Sequence, residues 1–190
     1  EDAWQYAEVL NKNNEERKRI ERDMVDDAIR IADEQVNNGK TSIVCLLEDG
    51  HPGVQGICSS RILDRYGRPC FTFCRNVADD AGLTGSGRSG ETVHLRDVLQ
   101  DVENQQPGIF EKFGGHGAAA GASLAREHLE AFSELFERAV RSKLDGKQLE
   151  STICSDGELG KEDMTLDALD TLETLEPTGR GCALRPIHSW

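Results

Sequence analysis

The stretch T-S-I-V-C-L-L-E-D-G-H-P-G-V-Q-G-I-C-S-S-R, residues 41–61, decides the fold. Its first seven residues are a short apolar run rich in β-branched side chains, closed by Glu48-Asp49-Gly50, and read as a buried strand. From Gly53 to Tyr66 the apolar spacing changes: Val54, Ile57 and Ile62-Leu63 suit a helix lying on that strand. A strand that passes through a glycine-rich turn into a helix opens an α/β domain.

Downstream, Pro69–Cys74 reads as a second strand with Phe71 and Phe73 on one face, and Leu83–Ser89 as a third extended segment that breaks into a glycine-rich loop. Thr92–Val102 and Leu124–Leu144 have helical periodicity. The second of these carries the stripe Leu124, His128, Ala131, Leu135 and Val140 and stops at Gly146. Between them, the glycine and alanine cluster at 114–121 suits neither helix nor strand. Upstream, residues 3–38 read as one long helix, with Ile20, Met24, Ala28 and Ile31 at helical spacing and Asn37-Asn38-Gly39 as the stop. Its first half is mostly polar, as in a solvated arm between domains. Beyond the α/β region, Ser151–Leu159 reads as a strand and Lys161–Leu175 as an acidic helix, before Pro177, Gly179, Gly181 and Pro186 break all regularity. The expected architecture is therefore α/β: a small sheet flanked by helices over 41–148, preceded by a long connecting helix (1–40) and followed by an incomplete tail (149–190).

Composition narrows the function classes. No apolar run approaches the roughly 20 residues that span a bilayer, and no basic-then-apolar leader precedes the helix. A cytoplasmic protein with no membrane partner is expected, and the opening on Glu1 looks like a cut from a longer chain. The six cysteines, Cys45, Cys58, Cys70, Cys74, Cys154 and Cys182, form no Cys-x-x-Cys pair. Cys70 and Cys74 would stand about 13 Å apart along a strand, too far to share a metal, so buried reduced thiols and no bound metal are expected. A net charge of −13 speaks against a broad electrostatic grip on nucleic acid. The acidity sits at the ends, however. Lys and Arg number 7 against 11 Asp and Glu in residues 1–40, 3 against 8 in 151–190, but 6 against 5 in 51–100. Any polyanion would be held at a local site.

Three motifs could make that site. His51–Arg61 lies at a strand-to-helix junction, where a helix N-terminus offers unpaired N–H groups and Gly53 and Gly56 admit a close anion. Gly85-Ser86-Gly87-Arg88-Ser89 combines two glycines, read as freeing a nest of backbone N–H groups, with two hydroxyls and a guanidinium suited to phosphate oxygens. Gly114-Gly115-His116-Gly117-Ala118-Ala119-Ala120-Gly121 surrounds one imidazole with tiny residues. Such a histidine can donate to a phosphate oxygen or stabilise developing charge. His94 and His128 are read as helix-surface residues.

In this order the three motifs resemble the C-terminal subdomain of the DHH-superfamily phosphoesterases, and within them the RecJ-type single-strand exonucleases. Leu10–Glu21 is similar to the helix joining that family's two halves, and Ser155–Leu159 to the entry of its oligonucleotide-binding barrel. The resemblance implies a portion that binds single-stranded DNA for a 5′-to-3′ exonuclease of DNA repair and recombination. It implies that His51, Gly53, Arg61, Ser86, Gly87, Arg88, Ser89, Gly114 and Gly115 line the phosphate-gripping face. Arg88 would be the direct clamp, and His116 the assisting catalytic residue nearest the reacting phosphoryl group. The parent enzyme would use Mn2+ or Mg2+ held by an N-terminal Asp-His-His half that is missing from these 190 residues. The fragment itself would then carry no cofactor and little nuclease activity. Two other readings stay open: a superfamily phosphodiesterase for oligoribonucleotides or cyclic dinucleotides, and a non-catalytic nucleic-acid-binding module.

Overall fold

Helix α1 (Asp2–Asn37) has two halves with different environments. Residues 3–16 are exposed, whereas Met24, Ala28 and Ala32, spaced by one turn, are buried against the sheet. A computed structural model describes residues 2–76, 79–146, 149 and 160–174. The chain divides into two units, Glu1–Glu150 and Ser151–Trp190.

In the first unit the elements after α1 are β1 (Ile43–Leu47), α2 (Gln55–Tyr66), β2 (Cys70–Asn76), β3 (Asp79–Arg88), α3 (Leu95–Gln105), β4 (Lys112–Gly115), β5 (Ala119–Ala125) and α4 (Leu129–Leu144). The five strands form one mixed sheet in the order β1-β2-β3-β5-β4. β1 and β2 are parallel and the other pairs antiparallel. Helices α1 and α2 pack on one face, around Cys45, Cys58, Cys70 and Cys74. Helices α3 and α4 cover the other, around Phe71, Phe73, Phe132 and Phe136. In that aromatic cluster Phe71 meets Phe132 edge-on at 5.4 Å and Phe73 meets it at 5.2 Å. Each such buried side chain contributes about 1.5–3 kcal/mol.

The α/β architecture and the long leading helix agree with the sequence reading, with two corrections. The 114–121 cluster is not irregular: it supplies the end of β4, the turn and the start of β5, because Gly and Ala leave room for a close strand pairing that propensity alone disfavours. Leu124 belongs to β5, not to the following helix, and α4 begins at Leu129. In the second unit, α5 (Leu166–Glu173) starts later than its acidic composition suggests, since Thr165 caps it by accepting the Ala168 N–H at 3.1 Å. The strand expected over 151–159 and the irregular stretch 177–186 lie outside the described residues.

The four cysteines of this layer are buried, free thiols. Burial pushes the Cys58 thiol up to about 11 and those of Cys70 and Cys74 to about 12. Among the described residues no helix is long and apolar enough to cross a membrane.

Strand β1 is an edge, and two side chains close it. Gln35 of α1 accepts the Val44 N–H at 3.0 Å and donates to the Val44 carbonyl at 2.7 Å, as a neighbouring strand would. Glu137 of α4, itself buried, accepts the N–H and hydroxyl of both Thr41 and Ser42 at 2.6–2.9 Å, and Arg141 donates to it at 2.7 Å. Burial would push this carboxyl up, but the bonds from Ser42, Thr41 and Arg141 outweigh it and hold the group at about 2.

A folded-state value below the ordinary one near 4.5 means stabilisation that is complete above that value and is lost as pH falls toward 2. Glu137→Gln should cost about 2–4 kcal/mol at neutral pH, since it turns an amide donor toward two donors. It should also flatten the loss of stability between pH 4.5 and 2. Urea unfolding followed by far-ultraviolet circular dichroism at each pH checks both; equal slopes for the two proteins would rule out the anchor.

Candidate nucleic-acid interface

Strand β3 sits at the centre of the site, and its alternation explains its composition. Leu83, Gly85 and Gly87 face α3 and α4; Thr84, Ser86 and Arg88 face the layer of α1 and α2. A Cβ on Gly85 would lie 2.4 Å from the Phe73 ring, and one on Gly87 2.3 Å from the Phe71 ring. The glycines are therefore demanded by the core. Their N–H groups belong to the pairings with β2 and β5, so Gly85–Arg88 is a strand and the motif does not form the nest that its composition suggests.

On the opposite face, the first and second motifs converge. Arg88 folds back along its own strand, donating to the Gly87 carbonyl at 2.8 Å and to Ser86 Oγ at 3.2 Å. A Cβ on Gly56, in the first turn of α2, would lie 3.0 Å from Arg88 Nη2 and 3.1 Å from Ser86 Oγ. Ser59, one turn later, fixes this arrangement: its Oγ lies 2.7 Å from the Ser86 carbonyl and 2.9 Å from Thr72 Oγ1. Among the described residues Arg88 bonds only neutral oxygens, whereas Arg17, Arg19, Arg30, Arg61, Arg75, Arg126 and Arg141 pair with carboxylates.

The third motif meets the second at one end of β3. Arg88 is paired with Ala119, whose carbonyl accepts the His116 N–H at 2.8 Å. Ser89 donates its N–H to the Ala118 carbonyl at 2.9 Å; its side chain is buried. Gly115 has φ +146°, and a Cβ there would lie 2.4 Å from the Ala119 carbonyl and Ala120 Cα, so only glycine closes this turn. His116 is exposed at the tip. Gly114 has open space where a side chain would be.

The remaining positions stand apart. His51 follows the other end of β1, beyond Gly50, whose Cβ would meet Cys74 Sγ at 2.7 Å. Since Cys74 pairs with Thr84 and Arg88 with Ala119, His51 and His116 flank opposite ends of a strip about 13 Å long. His51 Nδ1 accepts the Gly53 N–H at 3.0 Å, so that donor is already engaged. Arg61 lies on the side of α2 turned to α1 and pairs with Glu21 at 3.4 Å, away from Ser86 and Arg88.

Three residues of this face escape a reading by motif. Thr84, Lys112 and Ser123, in register across β3, β5 and β4, line a shallow groove of about 320 Å³ with Gly114 and Gly121. The available signal is the alternation of polar residues with glycine over 84–88, a period of two that marks a strand with one wet face. Ser59 and Thr72 carry no such signal.

Residues 39–142 match the DHHA1 domain, more than half of the chain, and the chain belongs to that family. Its relatives include the single-stranded-DNA-specific exonucleases RecJ of Haemophilus influenzae, 37% identical over 182 residues, and of Escherichia coli, 34% identical over 182 residues. Each alignment covers 94% of this chain and 31% of the relative, so the chain spans about a third of their length. The crystal structure of Thermus thermophilus RecJ in complex with Mg2+ matches with a TM-score of 0.73 and 25% identity, over 91% of this chain and 25% of that one.

The two kinds of glycine should separate on substitution. Gly87→Ala drives a methyl into the Phe71 ring and should cost about 1–3 kcal/mol. Gly114→Ala meets open space and should change stability by no more than about 0.5 kcal/mol. Thermal unfolding of both variants decides; equal losses would refute the division of β3 and β4 into core and open faces.

Proposed function

We propose that this chain is the substrate-binding portion of a RecJ-type, single-stranded-DNA-specific 5′-to-3′ exonuclease of the cytoplasm, acting in DNA repair and recombination. In this reading the DNA backbone runs along the strip from His51 to His116. One phosphate lies against Arg88, Ser86 and the first turn of α2, and His116 stands nearest the phosphoryl group that reacts. The observation that carries it is the state of Arg88: a guanidinium without a carboxylate partner, held against a helix N-terminus in a chain of net charge −13. Such a cation, with a hydroxyl and helix N–H groups beside it, suits a phosphate and little else.

Among the described residues no three His, Cys, Asp or Glu side chains stand together as metal ligands. RecJ of Thermus thermophilus has been crystallised with Mg2+ and with Mn2+. In the whole enzyme such ions, held by a separate DHH half, would activate the attacking water. The residues here bind, orient and neutralise.

Fluorescence anisotropy of a 5′-phosphorylated single-stranded oligonucleotide at low salt tests this. Arg88→Ala should weaken binding about tenfold and reduce the slope of log K against log salt by roughly 0.7, the value for one lost contact on a single strand. Gly56→Ala, whose methyl displaces the guanidinium, should weaken binding with an unchanged melting temperature. An Arg88→Ala protein that binds with the wild-type affinity and salt slope would sink the reading, as would tighter binding of a cyclic dinucleotide.

A further inference from the structure

His94 occupies the N-cap of α3, a position where Ser, Thr, Asp or Asn ordinarily bonds the exposed N–H groups of the first turn. It makes no side-chain cap bond. Its Nδ1 instead lies 3.1 Å from Asp97 Oδ2, three residues on, where an acidic residue would ordinarily reach back to the N-cap backbone. The other edge of the ring lies on the β4–β5 turn: a Cβ on Gly117 would be 2.8 Å from His94 Cδ2 and 3.3 Å from Nε2. The backbone beside it is tied to the same turn, because the Leu95 N–H bonds the Gly117 carbonyl at 2.7 Å. Ser89 holds the next carbonyl, that of Ala118, at 2.9 Å. Helix capping is forgone at this position, and the imidazole is braced by a carboxylate against the residue that follows His116.

We infer that His94, braced by Asp97, is a positioning residue for His116: it sets the place of the Gly115–Ala118 turn and so the point from which His116 meets the DNA backbone. The inference rests on the phosphate-binding reading for its consequence, but not for its geometry. Beyond the His94 ring, the turn is held by backbone hydrogen bonds, from the His116 N–H to the Ala119 carbonyl and from the Leu95 and Ser89 N–H groups to the Gly117 and Ala118 carbonyls. His116 is exposed, Gly114 touches nothing that a side chain would meet, and Gly117 can lie close to the ring only because it has no Cβ. A displacement of a functional group by a fraction of its contact distance is enough to lose binding that depends on its direction.

Two measurements on the full chain test this. Hydrogen exchange read by NMR follows the amides of Ser89 and Leu95. In His94→Ala both should lose about tenfold or more of their protection and the His116 ring resonances should move, while the Phe71 and Leu83 amides keep their protection. Unchanged Ser89 and Leu95 protection together with unchanged His116 resonances overturns the inference, whatever happens with DNA. Anisotropy with the 5′-phosphorylated oligonucleotide supplies a readout that loss of structure alone does not give. His94→Ala should weaken binding about fivefold in the wild-type background and less than twofold when His116 is already alanine. Equal losses in the two backgrounds overturn it, because His94 then acts independently of His116. Gly117→Ala should reproduce the His94→Ala loss and should have no added effect on a His94→Ala protein, where the methyl no longer meets a ring. If Arg88→Ala and His116→Ala both leave affinity unchanged, the phosphate-binding reading falls, and hydrogen exchange still decides whether His94 holds the turn.

Discussion

The rings of Phe71 and Phe73 lie across strand β3 where Gly87 and Gly85 have no side chains, and the rest of the site follows from this contact. Two aromatic residues on β2 stack at 5.5 Å and reach over their neighbour instead of standing beside a cross-strand partner. They can do so only if that neighbour is glycine at each paired position. The rings then meet Phe132 and Phe136 of α4 edge-on and complete the core. Glycine is poor in strands because it adds backbone entropy and no packing. Here the cost is offset by the aromatic surface that fills the space. With its core face given to glycine, β3 can place Thr84, Ser86 and Arg88 on the opposite face while remaining the middle strand of the sheet.

The outline of this fold was legible wherever the side-chain pattern and the backbone agreed. Residues 41–47 are apolar and β-branched, the 53–66 spacing is helical, and Phe71 and Phe73 alternate on one face as expected. The second half of α1 announces its inward stripe by Ile20, Met24, Ala28 and Ile31, of which Met24 and Ala28 are buried, while Ala32 rather than Ile31 completes the buried row. What failed were the positions where glycine and alanine serve close packing. A run such as Gly114–Gly121 has no pattern of its own, because the information that makes it two strands resides in its partners, Ser86 to Arg88 on one side and the tight turn at Gly115 on the other. Leu124 was drawn into a helical stripe because a residue at the end of a buried strand and one at the start of a buried helix share one core. The candidate site shows the same division. Arg88 and His116 stand out as functional types in a small-residue setting. Lys112 and Ser123 become neighbours only through register, and His94 becomes a neighbour of Gly117 only through the loop that precedes α3.

The three motifs that look equivalent in sequence differ in physical role. Gly85, Gly87 and Gly115 answer to the fold, since each is fixed by atoms closer than 2.5 Å to an added Cβ. Gly56 and Gly117 answer to side chains, Arg88 and His94, which a methyl would push aside at 3.0 and 2.8 Å. Gly114 answers to neither and leaves a surface open. The glycine-rich character of the region is therefore the sum of three constraints, and only the first belongs to the core.

Electrostatics complete the argument. A chain of net charge −13 repels a polyanion at long range, yet at 0.1 M salt the repulsion is screened beyond about 10 Å, so the balance at the surface is local. On α1 four of the six cations are matched within the helix: Arg17 to Glu21, Lys18 to Glu15, Arg19 to Glu16 and Arg30 to Asp27. Arg61, Arg75 and Arg126 are likewise matched to Glu21 and Glu48. Exposed pairs of this kind add little stability, but each one removes a cation from competition for phosphate. Among the described residues Arg88, half-buried beside the helix N-terminus, bonds a carbonyl and a hydroxyl and no carboxylate. Arg88 is thus one of the cations left unmatched by a carboxylate among the described residues, and the core packing of β3 fixes where it stands.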